Sequence, residues 1–142
     1  MYDVALFRKS QADLLGMVDD LQSLMTNNMF EMTLNAMTAY DLLCDLGIRI
    51  QEHLVEENRF VYSYLLLHED PRLHTLAWDF INGENPLLPS FAKYYQKWLK
   101  NFHFIFTQDF IRESQQIFAM VVDHIEHENK VLFPMLEQVD LL

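Results

Sequence analysis

Two short stretches of the chain carry residue types that hold metal ions or move protons. His53-Leu54-Val55-Glu56-Glu57-Asn58-Arg59-Phe60-Val61-Tyr62 overlays His124-Ile125-Glu126-His127-Glu128-Asn129-Lys130-Val131-Leu132-Phe133 without a gap, and in both a histidine is followed four residues later by a glutamate and then an asparagine. On an α-helix those two positions lie about 40° apart around the axis and about 6 Å apart along it, so His and Glu of each copy share one face. The copies are offset by 71 residues, half the chain, which points to a duplicated helix hairpin presenting one pair from each half. A lone pair of this kind reads as a surface contact that helps a helix slightly. Two pairs on inward stripes read differently, because a buried ionised carboxylate needs a partner, and two imidazoles with two carboxylates suit a shared cation.

The elements that must position these residues are helices. The chain has three glycines in 142 residues and few alternating apolar patterns, and its apolar spacing runs in steps of three and four. A first stripe is Phe7, Gln11, Leu14, Val18, Leu21, Met25, and Asn27-Asn28 end it. A second is Leu43, Leu46, Ile50, His53, Glu57, Phe60, Tyr64, stopped by Asp70-Pro71 because proline lacks the amide donor and restricts its predecessor. A connection follows with a short helix over Leu73 to Phe80 and a turn at Asn82-Gly83-Glu84-Asn85-Pro86. The third stripe is Phe91, Tyr95, Trp98, Phe102, with Ser90 as its N-cap. After the cap region Thr107-Gln108-Asp109, the fourth is Phe110, Ser114, Ile117, Val121, His124, Glu128, Val131, Met135. The expectation is an all-α chain, one domain over residues 1–142, forming an up-down-up-down four-helix bundle with the second and fourth helices parallel and diagonal. That geometry brings His53, Glu57, His124 and Glu128 to a similar depth.

With these residues in view, the chain resembles the hemerythrin-like family, the HHE cation-binding bundles of bacteria, over nearly its whole length. The stretches His53 to Tyr62 and His124 to Pro134, the latter ending Leu132-Phe133-Pro134, are similar to that family's two HxxxE signatures. The Asp70-Pro71 turn and the Tyr95/Trp98 helix also look like one bacterial subgroup. The resemblance implies a non-haem di-iron centre; the same four side chains would also suit a single ion, and imidazole with carboxylate suits iron, zinc or manganese without choosing between them. The resemblance further implies a small diatomic ligand, with dioxygen, nitric oxide or redox state as the signal. The family pattern has one more histidine on the first helix, where Gln11 stands, and one more on the third, where Tyr94 or Tyr95 and Trp98 stand. The HxxxH of the invertebrate oxygen carriers is absent from the third helix, which argues against reversible oxygen carriage of their kind.

The expected metal ligands are therefore His53, Glu57, His124 and Glu128, with Gln11, Tyr95 and His127 flanking the site or ligating weakly. His103 falls roughly 140° around from Trp98 and about 7.5 Å along, away from the seam. His68 lies about 22 Å along the helix from His53, and His74 falls beyond Pro71; both read as solvated. The Glu-x-x-His pattern of ferritin-like oxidases does not occur, and there is no phosphate-binding glycine loop or nucleophile elbow, so an enzyme is disfavoured.

Composition closes off other classes. Twenty-one acidic against ten basic residues give a net charge of -11, the wrong sign for nucleic acid or an anionic membrane surface. The single cysteine, Cys44, lies in an apolar helical pattern and reads as a small buried residue. No signal-like or membrane-spanning run occurs, so a cytoplasmic protein is expected, either monomer or homo-oligomer. The competing reading is a metal-free bundle whose surface engages a protein partner while the His/Glu pairs persist as buried hydrogen-bonded groups.

Overall fold

The computed structural model describes residues 4–26, 33–81, 87–102 and 107–138, excluding the side chains of residues 33–35, 60, 61, 80 and 81. Asn27-Asn28, the turn over 82–86, His103 and the side chain of Phe60 lie outside the described set. The chain is all-α, with no strand among the described residues. Helix α1 (Val4–Thr26) buries Phe7, Gln11, Leu14, Val18, Leu21 and Met25, every member of its expected stripe. Helix α2 (Thr33–Glu56) buries Leu43, Leu46, Ile50 and His53 and passes without interruption into a π-helical segment, π1 (Glu57–Tyr62), and then α3 (Ser63–Leu67). Helix α4 (Pro71–Ile81) spans the predicted short helix. The third long element is α5 (Leu87–Tyr94) with π2 (Tyr95–Leu99), and the fourth is α6 (Gln108–His127), π3 (Glu128–Leu132) and α7 (Phe133–Gln138).

The π-helical segments change which residues face inward. In a π-helix each amide bonds the carbonyl five residues back instead of four, so the segment absorbs one extra residue and the inner face moves on. Beyond Glu57 the buried positions among the described side chains of π1 and α3 are Tyr62 and Leu65, while the expected Tyr64 is exposed. Beyond Glu128 they are Leu132, Phe133 and Leu136; the expected Val131 is exposed and Met135 only half-buried. On the third element Tyr94 and Leu99 are buried and Tyr95 is exposed, because Tyr94, three residues after Phe91, takes the inner position before π2 begins. Ser90 lies inside α5, which starts at Leu87, so it is not the cap; Pro89 sits in the first turn, where a missing amide costs nothing. The cap at Thr107 forms as expected, with its Oγ1 accepting from the Phe110 amide at 3.1 Å.

Helix α1 packs against α2 and α6, and α5 packs against α6 and α2. One apolar cluster fills the space between them, from Leu14, Val18 and Leu21 to Leu43, Phe91, Phe110 and Phe118. Gly47 permits the α2–α5 approach, since a Cβ there would lie 2.3 Å from Cε1 of Phe91. A second cluster, with Phe7, Tyr62, Leu65, Leu73, Leu132, Phe133 and Leu136, draws α4 onto the segments that follow both glutamates. The turn into α4 is held by histidines that the sequence reading had placed in solvent. His68 Nδ1 accepts from the Asp70 amide at 3.0 Å, His74 donates to the His68 carbonyl, and both rings are half-buried. Cys44 is half-buried against the main cluster, and burial pushes its thiol pKa up. No helix among the described residues is long and apolar enough to cross a membrane.

Candidate metal centre

Between the two clusters the interior turns polar. Gln11, His53, Glu57, His124 and Glu128 are all buried, with both glutamates at 0% exposure and His124, at 9%, the most exposed. His53, on the last turn of α2, and His124, near the end of α6, each sit one turn before the π-segment that opens with their own glutamate. The carboxylates cross over: each meets the histidine of the other copy at least as closely as its own. His124 Nε2 lies 2.8 Å from Glu57 Oε1 and 3.6 Å from Glu128 Oε2. His53 Nε2 lies 3.0 and 3.1 Å from the two oxygens of Glu128 and 3.1 Å from Glu57 Oε1. One ligand atom from each of the four residues lies within 4.8 Å of the other three, so the group can hold a metal ion.

The spacing tests that capacity. An ion about 2.1 Å from each donor separates neighbouring donors by about 3.0 Å in octahedral and about 3.4 Å in tetrahedral coordination. The four His–Glu approaches, 2.8 to 3.6 Å, bracket both values. Imidazole nitrogen with carboxylate oxygen is the donor chemistry of iron, zinc and manganese.

Neighbouring side chains fix the orientation of these groups. The Ser10 hydroxyl is 2.7 Å from His53 Nδ1, leaving Nε2 aimed inward, and the Phe7 ring lies 4.6 Å from the His53 ring. Ser10 also borders a surface cleft of about 390 Å³ beside Lys9, Asp13, Arg49 and Glu52. Gln11 Nε2 donates to Glu128 Oε1 and to Asn129 Oδ1, both at 3.1 Å. Tyr62 donates to Glu57 Oε2 at 2.7 Å. Burial alone would push the Glu57 carboxyl up, but hydrogen bonds and charge from His124 and His53 outweigh it and draw the pKa down to about 2. The Tyr62 phenol moves the other way, raised by burial and by the adjacent Glu57.

Of the flanking residues expected from the sequence, Gln11 reaches the cluster. Tyr95 does not: it is exposed, and its neighbour Tyr94 donates instead to Ser114 Oγ at 2.6 Å, packed against Phe110. Trp98 is half-buried, edge-on to Phe110. His127 is exposed on α6, three residues past His124 and outside the group that converges. Ser10, Tyr62 and Asn129 were not anticipated. Ser10 and Asn129 each stand one residue off an inward stripe, and Tyr62 enters only through the phase change in π1. The spacing gave no signal for it, because Phe60 and Tyr64 continue the α-helical stripe as well as Tyr62 and Leu65 do the shifted one. Comparison of the chain with family models, with curated proteins and with solved structures gives no match.

Proposed function

We propose that the chain is a hemerythrin-like, up-down-up-down four-helix bundle that binds iron through His53, Glu57, His124 and Glu128. In this reading it responds to dioxygen, nitric oxide or redox state. The observation that carries this reading is the convergence of two HxxxE pairs, half the chain apart, into one buried group with ligand atoms within 4.8 Å of one another. The bundle topology is supported by α1 and α5 each packing against both α2 and α6, which suits α2 and α6 as diagonal partners. Four protein side chains leave an ion with positions for water or a small ligand, and Gln11 stands where a further histidine would complete the family's set. A bound iron would supply the redox and gas-binding chemistry; the protein fixes the imidazole orientation through Ser10 and excludes bulk water from both carboxylates.

The test is metal content per chain after anaerobic purification with iron supplied, with the double variant His53→Ala/His124→Ala as control. Stoichiometric iron, lost in the control, is the expected result. No stoichiometric metal overturns the proposal.

A metal-free scaffold is the second reading, favoured by one observation: the two imidazoles and two carboxylates already satisfy one another, with Gln11 and Tyr62 completing the network. It predicts that Glu57→Gln/Glu128→Gln leaves stability nearly unchanged and that no metal changes the melting temperature. The metal reading predicts that added iron(II) raises the melting temperature of the native chain and not of the variant.

A further inference from the structure

The two glutamates do not present the same number of oxygens to the centre. Glu57 turns Oε1 toward both imidazoles, while its Oε2 accepts from the Tyr62 phenol. Glu128 turns both oxygens toward His53, and its side contact is the Gln11 amide on Oε1. The cause lies in π1 and π3. In an α-helix a residue five positions on is about 140° away from its starting point. Bonding to the fifth residue instead brings position 62 over Glu57 and position 133 over Glu128. The first copy has a tyrosine there and the second a phenylalanine. Phe133 is buried against Phe7, with ring centroids 5.4 Å apart and the Arg8 guanidinium carbon 4.3 Å from its ring centroid, and has no hydroxyl to offer Glu128.

We propose that Tyr62 is a positioning residue that holds Oε2 of Glu57 turned away from the two imidazoles, so that Glu57 offers a bound ion a single oxygen while Glu128, both of whose oxygens face His53 even with Gln11 on one of them, offers two. The inference rests on the metal reading above and adds to it a stoichiometry. The His–Glu spacings of 2.8 to 3.6 Å are those of donors around a single ion, so the centre takes one ion, with two imidazole nitrogens and three carboxylate oxygens as donors. Removing the phenol oxygen frees Glu57 to turn its second oxygen inward.

Cobalt(II) is the probe, because its visible absorption weakens as coordination number rises. The wild-type chain and Tyr62→Phe are titrated with cobalt(II), followed by visible absorption and by competition with a chelator, with circular dichroism of both metal-free proteins as the check on folding. The expected result is one cobalt per wild-type chain. Tyr62→Phe should give a weaker, shifted visible spectrum and a change of roughly tenfold or more in affinity, the scale seen for residues that hold metal ligands in place. A merely structural tyrosine would not move the spectrum of the bound ion. If both proteins take up one cobalt with the same spectrum and affinity, the Tyr62 proposal is overturned and the metal site stands. Two cobalts per wild-type chain also overturn it. If neither protein binds cobalt, the metal reading fails and the Tyr62 proposal with it. Should Tyr62→Phe fail to fold, the infrared carboxylate stretches of the wild-type cobalt protein decide: a glutamate bound through one oxygen has a wide splitting and one bound through two a narrow splitting, and finding only one kind rejects the inequivalence.

Discussion

In the first copy of the motif, His53 is 1% exposed, its outer nitrogen is on Ser10, and its glutamate is tied to a phenol. In the second, His124 is 9% exposed, no described residue bonds its outer nitrogen, and its glutamate is held by an amide from α1. Two ten-residue stretches that share the same His, Glu and Asn thus produce a fixed half and a looser half. The difference comes from what packs across from each copy. Helix α1 runs past the outer face of His53 with Phe7 and Ser10, whereas no described residue makes such a contact with His124. A buried imidazole with both nitrogens engaged is oriented before any ligand arrives, while one with a single engaged nitrogen retains freedom to turn. The His124 side is therefore the less constrained half of the cluster.

The largest effect that would sharpen this contrast is loss of a carboxylate. Glu57→Ala strips both imidazoles and the Tyr62 phenol of a shared partner, and destabilisation of about 3–5 kcal/mol is expected in urea unfolding of the metal-free protein. Glu128→Ala should cost about 1 kcal/mol less, since Gln11 keeps its bond to Asn129. Equal costs would break the asymmetry. Acid reads the same partnership. Because the folded-state pKa of Glu57 is drawn from 4.5 down to about 2, its contribution is fully present above the ordinary carboxylate value and is lost as pH falls toward 2. Metal-free protein should lose stability through that window, and Glu57→Gln should flatten the loss. Next in size, His53→Ala should destabilise more than His124→Ala by about 1–2 kcal/mol, measured by the same unfolding series. The smallest is Ser10→Ala, at about 1 kcal/mol, with no counterpart to remove on the second copy.

Much of this was legible beforehand. The stripe of α1 is buried at every member, and that of α6 from Phe110 through Val121 to Glu128, because straight α-helix keeps the period that amphipathic spacing assumes. Reading stopped where the period stopped. From each glutamate onward the hydrogen-bond step lengthens, and Tyr64, Val131 and Met135 lose their expected places to Tyr62, Leu132 and Phe133. The same lengthening follows Tyr94 on the third element. Its outcome depends on which neighbouring helices compete for the inner face, a tertiary matter that spacing within one segment does not carry. Ser10 was invisible for another reason: its role is set by the ring it meets on α2, not by its own stripe.

Gly47 sets a dimension far from where it sits. Phe91 fills the space that a side chain at 47 would take, Phe91 lies 5.6 Å from Tyr94, and Tyr94 is bonded to Ser114 on the helix that carries His124. A methyl at position 47 would act as a shim between α2 and α5, with its thickness passed through those two rings to α6. The bore in which the two imidazoles meet edge-on is thus gauged in part by the absence of one carbon atom, about two turns before His53.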